Sequence, residues 1–148
     1  MRYDADVSQA WLINLKILGV FAAVIGHIFP IFANFKGGKG VATLVGAVTA
    51  IYPQIIFLCF AVWVLVFLAS HYVSLASMTA GCSFPLFVVI YSSSEWSRIG
   101  DISFAFILFS FAIAILLLWS HRKNIERLKA GTESKIYIWG KPPKQDNK

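Results

Sequence analysis

Four long apolar runs constrain the fold of this chain more than any other feature. They cover residues 11–35, 41–69, 73–91 and 102–119. A helix needs roughly 20 apolar residues to cross the hydrocarbon core of a bilayer, so runs of this length are typical of membrane spans. Only 14% of the residues are charged, whereas soluble domains carry about 25%. The sequence therefore predicts an all-α, polytopic integral membrane protein.

The second run, residues 41–69, is interpreted as two spans that are divided at Pro53. As one helix it would be about 43 Å long, which is too long for a bilayer without heavy tilt. Pro53 removes a backbone donor and disfavours helical angles at Tyr52. We therefore expect about five transmembrane helices, of which the second, residues 41–51, is unusually short.

Basic residues are concentrated at the carboxyl end, and they set the orientation. Eight of the thirteen Lys and Arg lie between Arg122 and Lys148. Basic segments stay on the cytoplasmic side, so we predict a cytoplasmic C-terminus, an outside loop at residues 92–101 and an outside N-terminus. If residues 41–69 formed one span, Lys36 and Lys39 would lie outside, against this rule. The same basic tail is a poor nucleic-acid surface, because no soluble domain remains to carry one.

A glycine-rich segment is the strongest candidate for a binding element. Gly37, Gly38 and Gly40 surround Lys39, and the chain then enters an apolar run at Val41. Glycines let backbone N–H groups turn toward an anion, and a following helix adds its unpaired first donors. The spacing is not that of a Walker A loop, which has Ser or Thr directly after the lysine. From local composition alone, a flexible cytoplasmic turn is an equally good interpretation.

A second candidate lies after the last apolar run. If that helix continues to Gly131, then His121, Asn124 and Arg127 recur at i, i+3 spacing and share one face. An imidazole, an amide and a guanidinium on one face suit a polar anionic substrate. On charge alone, an ordinary basic anchor that binds anionic lipid headgroups is the better interpretation.

The other polar candidates each have a packing interpretation. His27 lies near the cytoplasmic end of the first span, where a lone histidine is more often packed than catalytic. Ser74 and Ser77 permit close contact between helices. Cys59 and Cys82 lie in apolar runs without metal-ligand spacing. Neither a metal site nor a cofactor is expected.

These segments, in this order, resemble the bacterial acyl-phosphate-dependent glycerol-3-phosphate acyltransferase family. The resemblance is carried by residues 26–43 (GHIFPIFANFKGGKGVAT), 72–77 (YVSLAS) and 121–136 (HRKNIERLKAGTESKI). It implies a multi-pass enzyme of phospholipid synthesis in the bacterial cytoplasmic (inner) membrane. Such enzymes transfer a fatty acyl group from acyl phosphate to the 1-hydroxyl of glycerol 3-phosphate, which gives 1-acylglycerol 3-phosphate (lysophosphatidic acid) and phosphate.

The resemblance also implies a role for particular residues. His121 and Asn124 would position glycerol 3-phosphate, and His27 would lie near the acyl phosphate. The expected phosphate-binding residues are Gly37, Gly38, Lys39, Gly40, Thr43 and Arg127. Residues 1–136 would form the membrane acyltransferase domain, and residues 137–148 a basic polar cytoplasmic tail.

The resemblance leaves part of the family pattern unmatched. The family begins with two more spans, joined by a loop that bears Ser and Arg, and these would come from upstream sequence or from another chain. One alternative is a non-catalytic or inactive membrane remnant that keeps a pocket for phosphate or a lipid headgroup. A transporter is a weaker interpretation, because the spans hold few charges and no inverted repeat is evident.

Overall fold

The chain folds as a bundle of helices, as the computed structural model shows for residues 2–93 and 104–137. The all-α membrane fold predicted from the sequence is confirmed in this part of the chain. Most of the predicted outside loop, and nearly all of the predicted tail at 137–148, lie outside the described residues. The elements are α1 (Arg2–Ile28), a 3₁₀ turn (Ile31–Ala33), α2 (Val41–Thr49), α3 (Pro53–Ser70), α4 (Val73–Ser92), α5 (Phe104–Ser120) and α6 (Arg122–Lys129).

The sequence predicts about five spans, and helix length and composition give three, or up to four, candidate spans in the described residues. In the described ranges, three segments are long and apolar enough to cross a membrane, namely Asn14–Ala33, Pro53–Ser70 and Val73–Ser92. A fourth is obtained only if α5 and α6 are taken together as one bent span. The nine residues of α2 give a helix of about 13.5 Å, which is too short to cross alone.

Although α2 is short, its course agrees with the predicted division at Pro53. At one end, the Ser120 hydroxyl donates to the Lys39 carbonyl at 3.3 Å. At the other end, the Tyr52 and Phe106 rings lie 4.8 Å apart. Residues 106 and 120 are about 21 Å apart along α5. The chain therefore travels most of the length of α5 before α3 begins, and the loop with Lys39 lies at the opposite end from Pro53.

The sequence allowed a last helix that continues to Gly131. The structure instead has a bend between two helices in this region. α5 and α6 meet at an angle of 56°, with His121 between them. The Leu117 carbonyl accepts from the Ser120 hydroxyl at 2.8 Å and from the His121 ring at 2.9 Å. Because these side chains compete for a carbonyl of the last turn, the helix can change direction there. The polar residues of α6 can then leave the apolar core.

The core lies where α4 packs between α3 and α5. Its most deeply buried side chains are Val48, Ile55, Phe84, Val88, Phe106 and Ile113. Large apolar side chains also cover the outer surface, such as Phe57 at 72% and Phe104 at 72% exposed. An apolar exterior around a packed core is expected when the surrounding solvent is lipid.

Candidate functional site

A cavity of about 840 Å³ opens among α2, α3, α4, α5 and α6. Its size falls in the range of about 300–1,000 Å³ that is typical of small-molecule sites. One end of the cavity, called here the polar end, is formed by Lys39, Ser74, His121, Asn124, Arg127 and Glu133. Most of the remaining lining is apolar. The cavity therefore suits a ligand with a charged group at one end and an apolar body.

The glycine-rich loop is folded tightly against the end of α1. The Gly38 N–H donates to the His27 carbonyl at 3.1 Å. A Cβ at Gly37 would lie 2.6 Å from the Ile28 carbonyl oxygen, and a Cβ at Gly38 would overlap the His27 ring. Glycine is required at position 37, because the obstacle there is the backbone of α1, whereas at position 38 the obstacle is the end of the His27 side chain.

The loop leads directly into α2, as the sequence predicted. Gly40 has φ 77°, a left-handed conformation that favours glycine, and it caps the helix. The Leu44 N–H is the first to donate to a helical carbonyl, that of Gly40, at 2.9 Å. The N–H groups of Val41 and Ala42, which line the cavity, have no acceptor within the helix. They supply the partial positive charge of a helix start near Lys39.

The ammonium group of Lys39 stands in a mixed electrostatic environment. Burial is the largest influence, and it lowers the lysine pKa. The nearby carboxylate of Glu133 raises the pKa, and the Arg127 guanidinium lowers it again. These three residues therefore act on one another across the polar end, although they come from different segments of the chain.

His121 is almost completely buried, with 1% of its surface exposed. Its Nδ1 lies 2.9 Å from the Leu117 carbonyl, so Nδ1 carries the proton and Nε2 of the neutral ring is an acceptor. Burial is the largest influence on the His121 pKa and lowers it, and the Lys39 charge lowers it further. The hydrogen bond to Leu117 and the charge of Glu133 raise the pKa but do not reverse the shift. His121 is therefore neutral near pH 7, where its ring can accept a hydrogen bond from a hydroxyl group.

Glu133 connects Asn124 and Arg127. The amide of Asn124 donates to one carboxylate oxygen at 2.6 Å, and Nε of Arg127 donates to the other at 2.7 Å. The pKa of Glu133 is lowered to about 2, and the Ser74 hydroxyl is the largest influence. Arg127 and Asn124 lower the pKa further, whereas burial raises it. Ser74 Oγ is itself buried and makes no hydrogen bond within normal distance and angle limits. It therefore acts on the carboxylate at longer range.

Glu133 reaches the polar end because the chain turns back after α6. Gly131, at φ 68°, ends the helix in the left-handed conformation. The next residues, 131–137, are called here the return segment. The Ile136 N–H donates to the His71 carbonyl at 2.9 Å, which fixes the return segment against the corner between α3 and α4. Glu133 is held between this contact and α6, and its side chain is only 8% exposed.

The structure brings most of the predicted site residues together. His27, Lys39, Gly40, His121, Asn124 and Arg127 line the cavity. Gly37, Gly38 and Thr43 are not among its lining residues. The Gly38 N–H is already occupied by the His27 carbonyl, so in this conformation it is not a free donor for phosphate. The roles of all these residues remain predictions.

Sequence reasoning missed Glu133 and gave Ser74 only a packing role. Glu133 counted as one acid in a basic tail, although it stands two residues after Gly131, the predicted helix stop. An acid directly after such a stop is the signal that a turn could bring it back toward the basic residues of α6. Within residues 2–93 and 104–137, no group of three or more His, Cys, Asp or Glu is placed to hold a metal ion.

Comparison with known proteins identifies similar sequences and structures. The family model described as glycerol-3-phosphate acyltransferase matches residues 5–131. A glycerol-3-phosphate acyltransferase of Salinibacter ruber is 43% identical over 122 residues, which are 82% of this chain and 52% of the relative. One of Bordetella petrii is 40% identical over 119 residues, 80% of this chain and 54% of the relative. The chain thus spans about half the length of the relatives it matches.

Solved structures agree with the sequence matches. Two crystal structures of PlsY (YgiH), an integral membrane glycerol 3-phosphate acyltransferase, superpose on this chain with a TM-score of 0.69 and 38% sequence identity. One is the glycerol 3-phosphate form and the other the lysophosphatidic acid form. Each match covers 79% of this chain, and 54% and 55% of the respective PlsY chain.

Proposed function

The chain belongs to the glycerol-3-phosphate acyltransferase family, and on this premise we propose that it transfers a fatty acyl group from acyl phosphate to the 1-hydroxyl of glycerol 3-phosphate. The products are 1-acylglycerol 3-phosphate and inorganic phosphate. The proposed location is the cytoplasmic membrane of a bacterium, with the polar end of the cavity on the cytoplasmic side. The basic residues of α6 support this orientation.

One observation carries the proposal, namely the division of a single cavity into a charged end and an apolar body. Lys39 and Arg127 lie at the charged end, where Lys39 influences the pKa of His121 and is itself influenced by Glu133. Both substrates carry a phosphate group, and one carries a long apolar chain. A cavity with this division of polarity is complementary to both.

Each residue at the polar end has a chemical role in the proposal. Lys39 and the first N–H groups of α2 bind a phosphate group, and Arg127 contributes a second positive charge. His121 and Asn124 position glycerol 3-phosphate, and Nε2 of His121 accepts a hydrogen bond from a hydroxyl group of this substrate. His27 lies beside the acyl phosphate. Gly37, Gly38 and Thr43 shape the loop and the helix start that hold Lys39.

The proposed reaction is a single acyl transfer. The 1-hydroxyl oxygen of glycerol 3-phosphate attacks the acyl carbonyl carbon and forms an ester bond. The bond from that carbon to the phosphate oxygen breaks, and the phosphate leaves with the electron pair and accepts the hydroxyl proton. Since phosphate is already a good leaving group, the protein contributes mainly by positioning the substrates and stabilising charge.

The proposal includes a further contribution from two N-terminal spans. The matched residues cover only 52% and 54% of the length of the two relatives. By resemblance, a loop that bears Ser and Arg completes the phosphate site, and it comes from upstream sequence or from another chain. An activity assay therefore needs one arm with the chain alone and one with these spans supplied.

The test is formation of lysophosphatidic acid by the purified full chain from acyl phosphate and glycerol 3-phosphate. We expect His121→Ala to lower kcat by about 100-fold, because a positioned polar group is lost. Lys39→Ala should raise the KM of a phosphate-bearing substrate by about 10–100-fold, because a charged hydrogen bond is lost. Lys36→Ala is the matched control, since Lys36 is in the same loop and is exposed. Activity that survives both site substitutions would contradict the site assignment.

A second candidate is a non-catalytic protein that binds phosphate or a lipid headgroup. It is favoured by the contacts of Glu133, whose carboxylate already occupies the donors of Asn124 and Arg127. A carboxylate in that position could prevent a substrate from reaching those donors. Binding of a phosphonate analogue without turnover, even with the N-terminal spans supplied, would favour this candidate over the enzyme.

A further inference from the structure

Beyond its polar end, the cavity continues as an apolar cleft along α4. Ser77, Ala80, Gly81 and Phe84 line it in succession. Ser77 and Phe84 are three or four positions from both Ala80 and Gly81, so the four residues lie on one face of the helix. The side chains become large only at Phe84, which is 2% exposed and packs edge-on against Phe106 at 6.0 Å. The cleft thus runs along α4 and has a large buried ring at its far end.

The cleft opens sideways as well as toward the polar end. Val45 of α2 and Phe60 of α3 line the cavity, yet they are 43% and 59% exposed. A lining residue that is also exposed marks an opening of the cavity in the described part of the chain. An apolar chain could enter here from the hydrocarbon core of the bilayer, provided that the two N-terminal spans of the proposed function leave this side uncovered.

Gly81 occupies a restricting position in the cleft. A Cβ at this residue would lie 3.0 Å from both terminal carbons of Leu117, which lines the cleft from α5. A branched side chain at position 81 would push the Leu117 side chain out of its place in the cleft wall. Gly81 is seven residues beyond Ser74, which is about 10 Å along the helix. A substitution at position 81 would therefore change the deeper part of the cleft while leaving the part beside Ser74 unchanged.

An independent observation indicates a ligand at the mouth of the cleft. Ser74 Oγ lines the cavity and is buried, and it makes no hydrogen bond within normal distance and angle limits, although it acts on the Glu133 carboxylate at longer range. Ser77, one turn deeper, accepts a hydrogen bond from the Trp63 indole at 3.1 Å. A buried hydroxyl without a well-formed hydrogen bond is costly, and a polar ligand group at this point would supply one. The polar head of the ligand would lie between Ser77 and the polar end of the cavity, and its apolar part between Ser77 and Phe84.

We propose that Gly81 determines the length of the acyl chain that this protein accepts. A linear fatty acyl tail enters from the bilayer between α2 and α3, passes Gly81 and ends against Phe84, while its phosphate lies at the cationic polar end. The identity of the donor as an acyl phosphate rests on the function proposed above. The chain-length restriction depends only on the shape of the cleft.

The experiment compares Gly81→Val with the wild type, using a long and a short donor. In turnover, hexadecanoyl and octanoyl phosphate are compared with the N-terminal spans supplied. In binding, hexadecylphosphonate and octylphosphonate serve as probes that are not consumed. We expect Gly81→Val to weaken kcat/KM and affinity for the long chain by about tenfold or more, because contacts of two or more methylenes are lost. The short chain should be almost unaffected.

Two further variants separate this role from general damage to the fold. Gly81→Ala should show a smaller effect of the same kind, because the flexible end of Leu117 can move aside. Gly19→Val is the control, since no atom outside its own helix backbone lies within 4 Å of a Cβ at that residue. It should leave the ratio between long and short chains unchanged.

The outcomes distinguish this inference from the proposed function. An equal effect of Gly81→Val on both chain lengths, or no effect on either, overturns the inference even if acyl transfer is observed. If no donor is turned over but phosphonate binding still depends on length through Gly81, the proposed function fails and the inference is supported. If neither phosphonate binds to the wild type, the inference is overturned.

Discussion

His121 shows how burial at one residue defines the chemistry of the site. Its ring is enclosed by the end of α5, and Nδ1 is held by the Leu117 carbonyl. The sequence predicted that His121, Asn124 and Arg127 share a face, because i, i+3 spacing is visible in the sequence. The tautomer and the lowered pKa were not predictable, because they depend on a backbone carbonyl and on charges from distant segments.

We predict that activity falls as the pH drops below about 6.5, the ordinary pKa of histidine. The folded-state pKa of His121 is lower than that value, mainly because of burial. The neutral ring therefore contributes its full stability and its acceptor Nε2 above pH 6.5. Both are lost as the pH falls from there through the lowered pKa. The measurement is kcat/KM of the wild type against pH.

The control for this prediction is His121→Gln, which keeps a polar group but does not titrate. Its residual activity should not show the same decline at low pH. If the decline persists unchanged in His121→Gln, another group is responsible and the assignment to His121 is wrong.

At the scale of the helices, sequence patterns predicted apolar elements better than polar ones. α3 and α4 end within one residue of the predicted apolar runs, because Pro53 and the short link at residues 71 and 72 limit them. The bend between α5 and α6 was missed, because it arises where side chains compete for the Leu117 carbonyl. The return segment was missed because it has no hydrophobic periodicity, and a single backbone hydrogen bond at Ile136 anchors it.

We predict that Glu133→Gln loosens the return segment without unfolding the bundle. The substitution removes the charge that pairs with Arg127 and one acceptor for the site donors. Hydrogen exchange of the Ile136 amide should become faster by about tenfold, since an interaction with a charged group typically contributes about 1.5 kcal/mol or more. The measurement is exchange mass spectrometry of the purified protein. Exchange within α3 and α4 should stay unchanged.

Glu126→Gln is the matched control, because Glu126 is an exposed acid on α6, beside Arg127. It should leave exchange at Ile136 unaffected. The Glu133 pKa of about 2 also implies that its stabilising effect is complete above the usual value of about 4.5 and is lost as the pH falls toward 2. Equal exchange in Glu133→Gln and the wild type would show that the carboxylate does not hold the segment.

For the whole molecule, the arrangement depends on three segments that are distant in sequence but meet at the polar end of one cavity. These are the loop with Lys39, the start of α4 with Ser74, and α6 with its return segment. From the distribution of basic residues and the break at Pro53, the sequence predicted that the loop with Lys39 and the basic C-terminal segment lie on the same side of the membrane. It could not give the cavity, since its volume depends on how five helices pack.

The most direct measurement of this convergence is thiol labelling in sealed membrane vesicles of known orientation. Lys36→Cys and Lys129→Cys are each introduced into a chain in which Cys59 and Cys82 are replaced by serine, and a membrane-impermeant maleimide is added from one side. Both positions are exposed in the structure. We predict that both react from the cytoplasmic side. Labelling of the two positions from opposite sides would mean that Lys39 and α6 cannot form one site, and would contradict the account.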